Sequence, residues 1–220
     1  MILIPVKNLS SAKQRLAAVL DQQARTELAH AMLHDVVAAI AAWPGRPACA
    51  LVTGDPFALD LARQYDFEII PDPSNPGETG AIEMATRLCV SRGIESTLVI
   101  PADIPLIQAD EMEQILANAP AEGSVLAPAA DGRGTNAAFR RPADLFPLRF
   151  GNDSFKPHLA TAKATGKPCV VLQLPNLAVD VDNPEDLLQV LGRPGETRTQ
   201  HLLRQWTRGG ILPSARSEGA

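Results

Sequence analysis

Two acidic segments follow apolar runs of the chain and carry the residues best suited to binding a metal ion. Asp103 comes directly after the apolar run Ile100–Ala102, and Asp180 and Asp182 alternate, so that both face one side of an extended chain. Carboxylate oxygens are preferred ligands of Mg²⁺. We therefore predict that Asp103 and either Asp180 or Asp182 bind Mg²⁺. The alternative is that Asp103 only shapes a turn and that Asp182 or Asn183 only caps the following helix.

A basic segment follows the first apolar run. Lys7, Lys13 and Arg15 lie within nine residues, and the segment contains neither a Walker A nor a GxGxxG pattern. Lysine offers a point charge and arginine a bidentate fork, so this loop could wrap a triphosphate and offset its charge. The alternative is a solvated basic surface.

Two further segments could bind an anion through hydroxyl and backbone N–H groups. The glycine-rich segment Asp131–Ala137 contains Thr135, although such a segment is often only a turn. Gly151 and Ser154 precede a predicted helix whose N-terminus would attract a carboxylate or phosphate. The alternative for Ser154 is an ordinary helix cap. His158 falls on the same face of that helix and could reach the same ligand.

Apolar runs that alternate with helical patterns position these residues. The predicted strands are Met1–Val6, Ala48–Thr53, Glu68–Pro71, Ser96–Pro101, Ser124–Pro128 and Cys169–Gln173. The predicted helices are Asp21–Ala42, Asp55–Tyr65, Gly80–Arg92, Gln108–Ala119, Ser154–Thr165 and Pro184–Leu191. The strands are apolar without alternation, as in sheets covered on both faces. We predict a three-layer α/β/α sandwich with a mostly parallel sheet, whose ligands collect beyond the carboxyl ends of the strands.

The composition excludes several classes of protein. The 220 residues carry 20 Lys and Arg against 25 Asp and Glu, a net charge of -5, and aromatic residues make up only 4%. Neither value suits electrostatic binding or base stacking of a nucleic acid, and nothing in the chain predicts a membrane partner. The odd number of scattered cysteines (Cys49, Cys89 and Cys169) predicts reduced, buried thiols. With no signal-peptide pattern at Met1, we predict a cytoplasmic location.

The segments that carry these residues resemble one known family when taken together. IPVKNLSSAKQRL, VIPADIPLI, GRGTNAAF, FGNDSFKPH and LAVDVDNPEDL occur in the order seen in the CofC/FbiD family of phosphoacid guanylyltransferases. The resemblance covers Met1–Leu191. It implies a Rossmann-type nucleotidyltransferase domain of the GT-A kind. It also implies transfer of GMP from GTP to a three-carbon phosphoacid with release of pyrophosphate, in the biosynthesis of the deazaflavin coenzyme F-420.

The resemblance also implies roles for single residues. Asp103 and Asp182 would bind Mg²⁺. The residues implied for catalysis are Lys7, Arg15, Asp103 and Asp182. The residues implied for substrate binding are Lys13, Thr135, Asn136, Gly151 and Ser154. Lys7, Lys13 and Arg15 match the basic loop over the GTP phosphates, whereas Thr135, Gly151 and Ser154 match the phosphoacid positions.

One departure from the family pattern bears on the substrate. The family often has Gly-Leu-Asn before an alanine-rich helix, but this chain has Gly77-Glu78-Thr79, so that Thr79 replaces an amide. Family members use 2-phospho-L-lactate, phosphoenolpyruvate or 3-phospho-D-glycerate. The altered segment suggests a different pocket and favours 3-phospho-D-glycerate.

The domain organisation follows from the same resemblance. Residues 1–191 form one predicted nucleotidyltransferase domain, and residues 192–220 a tail that is partly disordered or docks on another subunit. Leu202, Leu203 and Trp206 give that tail an apolar stripe, which, together with the resemblance, predicts a homodimer.

Two alternative functions remain at this point. One is another GT-A-like enzyme, either a molybdopterin guanylyltransferase or a cytidylyltransferase for a sugar or polyol phosphate. Such enzymes usually have a glycine-rich loop after the first strand, whereas Lys7–Ser11 contains no glycine. The other is a non-catalytic nucleotide-binding protein.

Overall fold

The computed structural model describes residues 1–73, 77–151 and 153–212, and the centre of this part is a seven-stranded sheet. The strands are β1 (Ile2–Val6), β2 (Cys49–Thr53), β3 (Glu68–Pro71), β4 (Thr97–Val99), β5 (Gly123–Pro128), β6 (Thr135–Arg141) and β7 (Cys169–Val171). Their order is β3-β2-β1-β4-β6-β5-β7. All neighbouring pairs are parallel except those made by β6, which runs antiparallel to β4 and β5.

Helices cover both faces of this sheet. They are α1 (Gln22–Ala41), α2 (Pro56–Gln64), α3 (Glu78–Ser91), α4 (Ala109–Ala117), α5 (Phe155–Ala164), α6 (Pro184–Gly192) and α7 (Arg198–Arg208). Ile2 and Ile4 of β1 belong to a core cluster with α1, α2 and α4, whereas Leu3 belongs to a second cluster with α3 and α5. Successive residues of one strand thus pack against different helical layers. The predicted three-layer, mostly parallel α/β/α fold is confirmed.

Strand β6 differs from the sequence prediction, which treated its beginning as a glycine-rich turn. The turn ends at Gly134, where Asp131 Oδ1 accepts the backbone N–H of Arg133 at 2.7 Å. The chain then enters the buried strand Thr135–Arg141. The strand was not predicted because its polar residues interrupt the apolar run by which the other strands were identified. Arg140, for example, is buried and donates to the carbonyl of Phe146 at 2.6 Å.

The segment after residue 191, expected to be a partly disordered or subunit-docking tail, contains helix α7, which packs against other helices of the chain. Leu203 and Trp206 are buried in a cluster that includes Leu28 of α1 and Leu187 of α6. Asp35 of α1 accepts the backbone N–H groups of the first two residues of α7, both at 2.8 Å. The apolar stripe is therefore covered by helices of the same chain instead of a second subunit. Residues 213–220 of the predicted tail lie outside the described residues.

The described residues also bear on the thiols and on membrane crossing. The three cysteines are free, with Cys49 and Cys89 buried and Cys169 only half-buried. Within the described ranges, no helix has both the length and the apolar character that a bilayer crossing requires.

Candidate active site

The site lies beyond the carboxyl ends of β1 and β4, next to the segment that leads into α6. Asp103 follows β4 by four residues, and its carbonyl accepts the backbone N–H of Val181 at 3.1 Å. This bond ties the acidic segment before α6 to the loop after β4. Asp186 Oδ2 further accepts the backbone N–H of Asp182 at 2.8 Å and fixes the entry into α6. The two predicted acidic segments therefore meet although 79 residues of sequence separate Asp103 and Asp182.

One lysine bridges the two predicted metal ligands. Lys13 Nζ donates to Asp103 Oδ2 at 2.6 Å and to Asp182 Oδ1 at 3.1 Å. Arg15 Nη1 donates to the other oxygen of Asp182 at 3.0 Å. Burial acts to lower the pKa of Lys13, but the carboxylates of Asp103 and Asp182 raise it to about 12. Lys13 is therefore an ammonium at neutral pH, and its φ of 54° is a conformation uncommon outside glycine.

The donor set of this centre fits Mg²⁺. Asp103 and Asp182 each place an oxygen within 3.1 Å of the same cationic nitrogen, so both face one position suited to a cation. Among the described residues no group of three or more His, Cys, Asp and Glu side chains has metal-binding geometry. Two carboxylates suffice for Mg²⁺, which usually completes its shell with water and substrate phosphate oxygens.

Asp180 lies apart from this centre and pairs with an amide. Asn136 Nδ2 donates to Asp180 Oδ1 at 3.2 Å and to the carbonyl of Leu177 at 3.0 Å. Burial and then the charge of Asp103 raise the pKa of Asp180 to about 6. Of the two aspartates left open by the sequence, Asp182 therefore shares the lysine with Asp103, whereas Asp180 is oriented by Asn136.

A second cluster joins β6 to the start of α5. Ser154 Oγ lies 3.2 Å from Thr135 Oγ1, and Thr135 Oγ1 lies 2.9 Å from His158 Nδ1. Ser154 occupies the N-cap position of α5, yet it makes no side-chain capping bond to the described backbone of that helix. The sequence alternative of an ordinary serine cap is therefore wrong. Both hydroxyl groups instead belong to one buried polar cluster.

Two neighbouring cavities contain all nine predicted site residues. The larger, about 580 Å³, is lined by the two carboxylates and by the hydroxyl cluster; its predicted residues are Arg15, Asp103, Asp182, Thr135, Asn136, Gly151 and Ser154. The second, about 420 Å³, is lined by Lys7 and Lys13 and shares Arg15, Asp103 and Asp182 with the first. The basic loop, the carboxylates and the hydroxyl cluster therefore line two cavities that share Arg15, Asp103 and Asp182.

Sequence analysis missed Glu78, which lines both cavities. Burial and then the charge of Asp103 raise the pKa of its carboxyl to about 7, against the opposing effect of Lys7 and Lys13. Glu78 begins α3 directly after Gly77, whose φ is 92°. The sequence did contain one indication of this site residue, because Glu78 is an acidic residue in the first turn of a helix that follows a strand.

An ion pair at the mouth of the larger cavity also went unpredicted. Arg133 Nη2 donates to Asp153 Oδ2 at 3.1 Å, and the carbonyl of Arg133 accepts the backbone N–H of Phe155 at 2.8 Å. These contacts connect the turn before β6 to the start of α5. They hold Thr135 and Ser154 on facing sides of the same cluster.

Comparison with known proteins decides the family. A family model described as "Guanylyl transferase CofC like" matches residues 1–215. The chain belongs to the CofC-like guanylyl transferase family. It is therefore a nucleotidyltransferase, and the resemblance inferred from the five sequence segments is confirmed.

Several relatives of the family are similar over most of their length. A phosphoenolpyruvate guanylyltransferase of Sphaerobacter thermophilus is 36% identical over 86% of this chain and 91% of its own. A 2-phospho-L-lactate guanylyltransferase of Methanothermobacter thermautotrophicus is 32% identical over 98% of this chain and 94% of its own. A 3-phospho-D-glycerate guanylyltransferase of Colwellia psychrerythraea is 32% identical over 88% of this chain and 92% of its own.

Solved structures support the fold. A crystal structure from Desulfovibrio desulfuricans G20, described as a nucleotide-diphospho-sugar transferase, superposes with a TM-score of 0.75. The overlap covers 96% of this chain and 95% of the other at 17% identity. At this identity the likeness establishes a shared fold and nothing about activity.

Proposed function

We propose that this enzyme transfers GMP from GTP to a three-carbon phosphoacid and releases pyrophosphate, in the biosynthesis of the deazaflavin coenzyme F-420. The observation that carries the proposal is the larger cavity, whose lining combines Asp103, Asp182 and Arg15 with the hydroxyl groups of Thr135 and Ser154. Such a cavity suits two anionic reactants that meet in its middle. Relatives named for three different phosphoacids support the substrate class.

The first centre would receive the triphosphate. Asp103 and Asp182 would hold Mg²⁺, which neutralises charge on the nucleotide phosphates when bound. Lys13 and Arg15 add two fixed positive charges beside these carboxylates. Lys7 lines the adjoining cavity and extends the basic surface toward the remaining phosphates. In phosphoryl transfer, positioning and charge neutralisation of this kind supply most of the catalysis.

The hydroxyl cluster would receive the acid. Thr135 and Ser154 offer hydroxyl groups, and Gly151, with a φ of 139°, keeps the neighbouring wall free of a side chain. A phosphate monoester has a second pKa of about 6, so its attacking oxygen is already ionised at neutral pH. The reaction therefore requires no general base. His158 does not supply one, because both of its ring nitrogens are engaged in hydrogen bonds within the protein.

Among the three acids, we propose 3-phospho-D-glycerate as the substrate. The residue that departs from the family pattern, Thr79, accepts the backbone N–H of Phe150 at 3.0 Å. Phe150 directly precedes Gly151, so the departure touches the loop assigned to the acid. Phe150 lines the larger cavity and Thr79 does not, so the departure would act on the acid through the position of Phe150 and give a pocket unlike those of the other two classes.

An end-point assay tests both parts of the proposal. Purified enzyme is incubated with GTP, Mg²⁺ and each of the three acids in turn, both alone and, in parallel reactions, with an enzymatic trap that consumes the unstable anhydride product. Pyrophosphate detection and mass spectrometry of the GMP adduct are the readouts, and reactions without acid or with CTP are the controls. We expect an adduct with 3-phospho-D-glycerate. An adduct with another acid alone contradicts the choice of acid. GTP binding without pyrophosphate release in the presence of any of the acids contradicts the function.

A further inference from the structure

His158 lies beneath the hydroxyl cluster and is almost fully buried, with 1% of its surface exposed. Both of its ring nitrogens make hydrogen bonds. Nε2 accepts the backbone N–H of Arg149 at 2.8 Å, and Nδ1 lies 2.9 Å from Thr135 Oγ1. The ring therefore connects the backbone before the Gly151 loop to a side chain that lines the larger cavity.

The bond from Arg149 selects one tautomer of the ring. A backbone N–H can only donate, so Nε2 must present its lone pair. Burial and then the charge of Arg140 lower the pKa of His158 to about 4, so the ring is neutral at pH 7. A neutral imidazole with an unprotonated Nε2 carries its proton on Nδ1. Nδ1–H must then donate to Thr135 Oγ1.

This tautomer determines how many donors the hydroxyl cluster offers to a ligand. Thr135 and Ser154 have two hydroxyl hydrogens, and their mutual hydrogen bond uses one of them. Because His158 donates, it consumes neither, and one hydroxyl hydrogen is left for an acceptor outside this three-residue cluster. In the opposite tautomer, Nδ1 would accept the Thr135 hydrogen, and the cluster would offer none.

We propose that His158 is a positioning residue for the acid subsite: by donating from Nδ1 to Thr135, it keeps one hydroxyl donor of the Thr135–Ser154 pair available to the anionic group of the phosphoacid. The inference rests on the proposed function in that it assigns a phosphoacid to this cluster. It goes further because it assigns a role to a buried residue that does not touch the substrate. This residue determines whether the subsite offers a hydrogen-bond donor to the ligand.

Two matched variants separate the two bonds of the ring. The amide of His158→Asn can reach the Nδ1 position and donate to Thr135, whereas the amide of His158→Gln can reach the Nε2 position and accept from Arg149. We expect His158→Gln to raise the KM for the acid about tenfold, because without a donor at the Nδ1 position Thr135 is no longer held with its hydroxyl hydrogen toward the ligand, and loss of one hydrogen bond to a charged group costs roughly 1.5 kcal/mol. The KM for GTP should change less than twofold. His158→Asn should restore the acid KM to within about threefold of wild type.

A merely structural role gives a different result. The proposal is overturned if both variants change the two KM values alike, or if His158→Gln leaves the acid KM unchanged. Thermal unfolding of each variant identifies a loss of fold, in which case the wild-type measurement below decides.

Nitrogen NMR of the wild-type ring tests the proposal without turnover. We expect a protonated Nδ1, an unprotonated Nε2, and a shift of the Nδ1 signal when inorganic phosphate is added. A ring protonated on Nε2, or a spectrum unaffected by phosphate, overturns the inference. Failure of the proposed function would instead appear as wild-type enzyme that releases no pyrophosphate with any acid, so the two failures are distinguishable.

Discussion

At the scale of single residues, the site consists of two carboxylates that form ion pairs with Lys13 and Arg15. Lys13 contacts both carboxylates with a side chain that is only 10% exposed, whereas Asp103 and Asp182 remain 30% and 39% exposed. The acidic groups are thus open to the cavity while the ammonium is shielded from water. Because both carboxylates are partly solvated, loss of one of them should cost little folding free energy, whereas the chemistry that needs both should be affected more.

Replacement of either carboxylate tests its role directly. We expect Asp103→Asn and Asp182→Asn each to slow pyrophosphate release by about 100-fold or more, because each removes a charge that would hold Mg²⁺. The melting temperature should change by no more than about 4 °C, which corresponds to roughly 1 kcal/mol for a chain of this size. Asp60→Asn, which breaks an exposed pair with Arg63, should change neither property. Wild-type turnover by either folded site variant would remove the metal assignment.

The raised pKa of Glu78 predicts a pH dependence of stability. With a pKa near 7 in the folded state and near 4.5 when unfolded, Glu78 keeps its proton in the folded chain between these values. The unfolding free energy that Glu78 contributes is therefore complete below pH 4.5 and is lost as the pH rises toward 7. We expect the stability of wild type relative to Glu78→Gln to fall between pH 5 and pH 8. Urea unfolding in buffer with a chelator measures this difference, and parallel curves for the two proteins would contradict it.

At the scale of elements, local chemistry made much of the fold predictable. Asp21 and Asp55 each accept the backbone N–H of the residue three positions later, so the starts of α1 and α2 follow from the sequence. β6 and α7 could not be predicted in this way because they depend on distant partners. Arg140 of β6 reaches side chains of α3 and β4, and α7 begins on the carboxylate of Asp35.

The residues of the candidate site likewise fall into those that local sequence predicts and those that depend on distant partners. The polar residues at strand ends, such as Asp103 and Asp182, could be predicted because parallel strands bring their carboxyl ends to one edge. The role of Glu78 could not, and His158, predicted on the same helix face as Ser154 and able to reach the ligand, is instead buried beneath Thr135. Each depends on side chains 23 or more residues away, which no local pattern encodes.

The contribution of α5 to substrate binding is testable at its first turn. We expect Ser154→Ala to raise the KM for the phosphoacid by roughly tenfold, because Thr135 loses the hydrogen bond from Ser154 that orients its own donor toward the anion, and to leave the KM for GTP nearly unchanged. Thr161→Ala is the matched control, since Thr161 is half-buried on the same helix, lines neither cavity and donates to the carbonyl of Pro157. Steady-state kinetics with each substrate varied separately give both constants. Equal changes in the two KM values would assign Ser154 a structural role.

The docking of α7 is a second property of an element. Asp35→Ala leaves two buried or half-buried backbone N–H groups at the start of α7 without their acceptor. We expect the unfolding free energy to fall by about 1 to 3 kcal/mol, measured by urea unfolding. Gln205→Ala on the exposed side of α7 should have little effect. Equal stability of Asp35→Ala and wild type would show that α7 does not depend on this contact.

At the scale of the whole molecule, the chain is acidic, but three of its basic side chains lie together at the candidate site. The net charge is -5, yet Lys7, Lys13 and Arg15 line the cavities of one sheet edge. This distribution favours a small anionic ligand over a polyanion. The homodimer and the Mg²⁺ requirement stay predictions, and the apolar residues of α7 no longer argue for the dimer because they are buried within the chain.

The central claim is that a phosphate oxygen of the acid becomes bonded to the α-phosphorus of GTP. The most direct test uses 3-phospho-D-glycerate with ¹⁸O in the three non-ester oxygens of its phosphate, followed by mass spectrometry of both products. We predict a GMP adduct that retains all the ¹⁸O and pyrophosphate that contains none, because no bond of the acid phosphate breaks. Label in pyrophosphate, or GTP consumption without a labelled GMP adduct, would contradict the account.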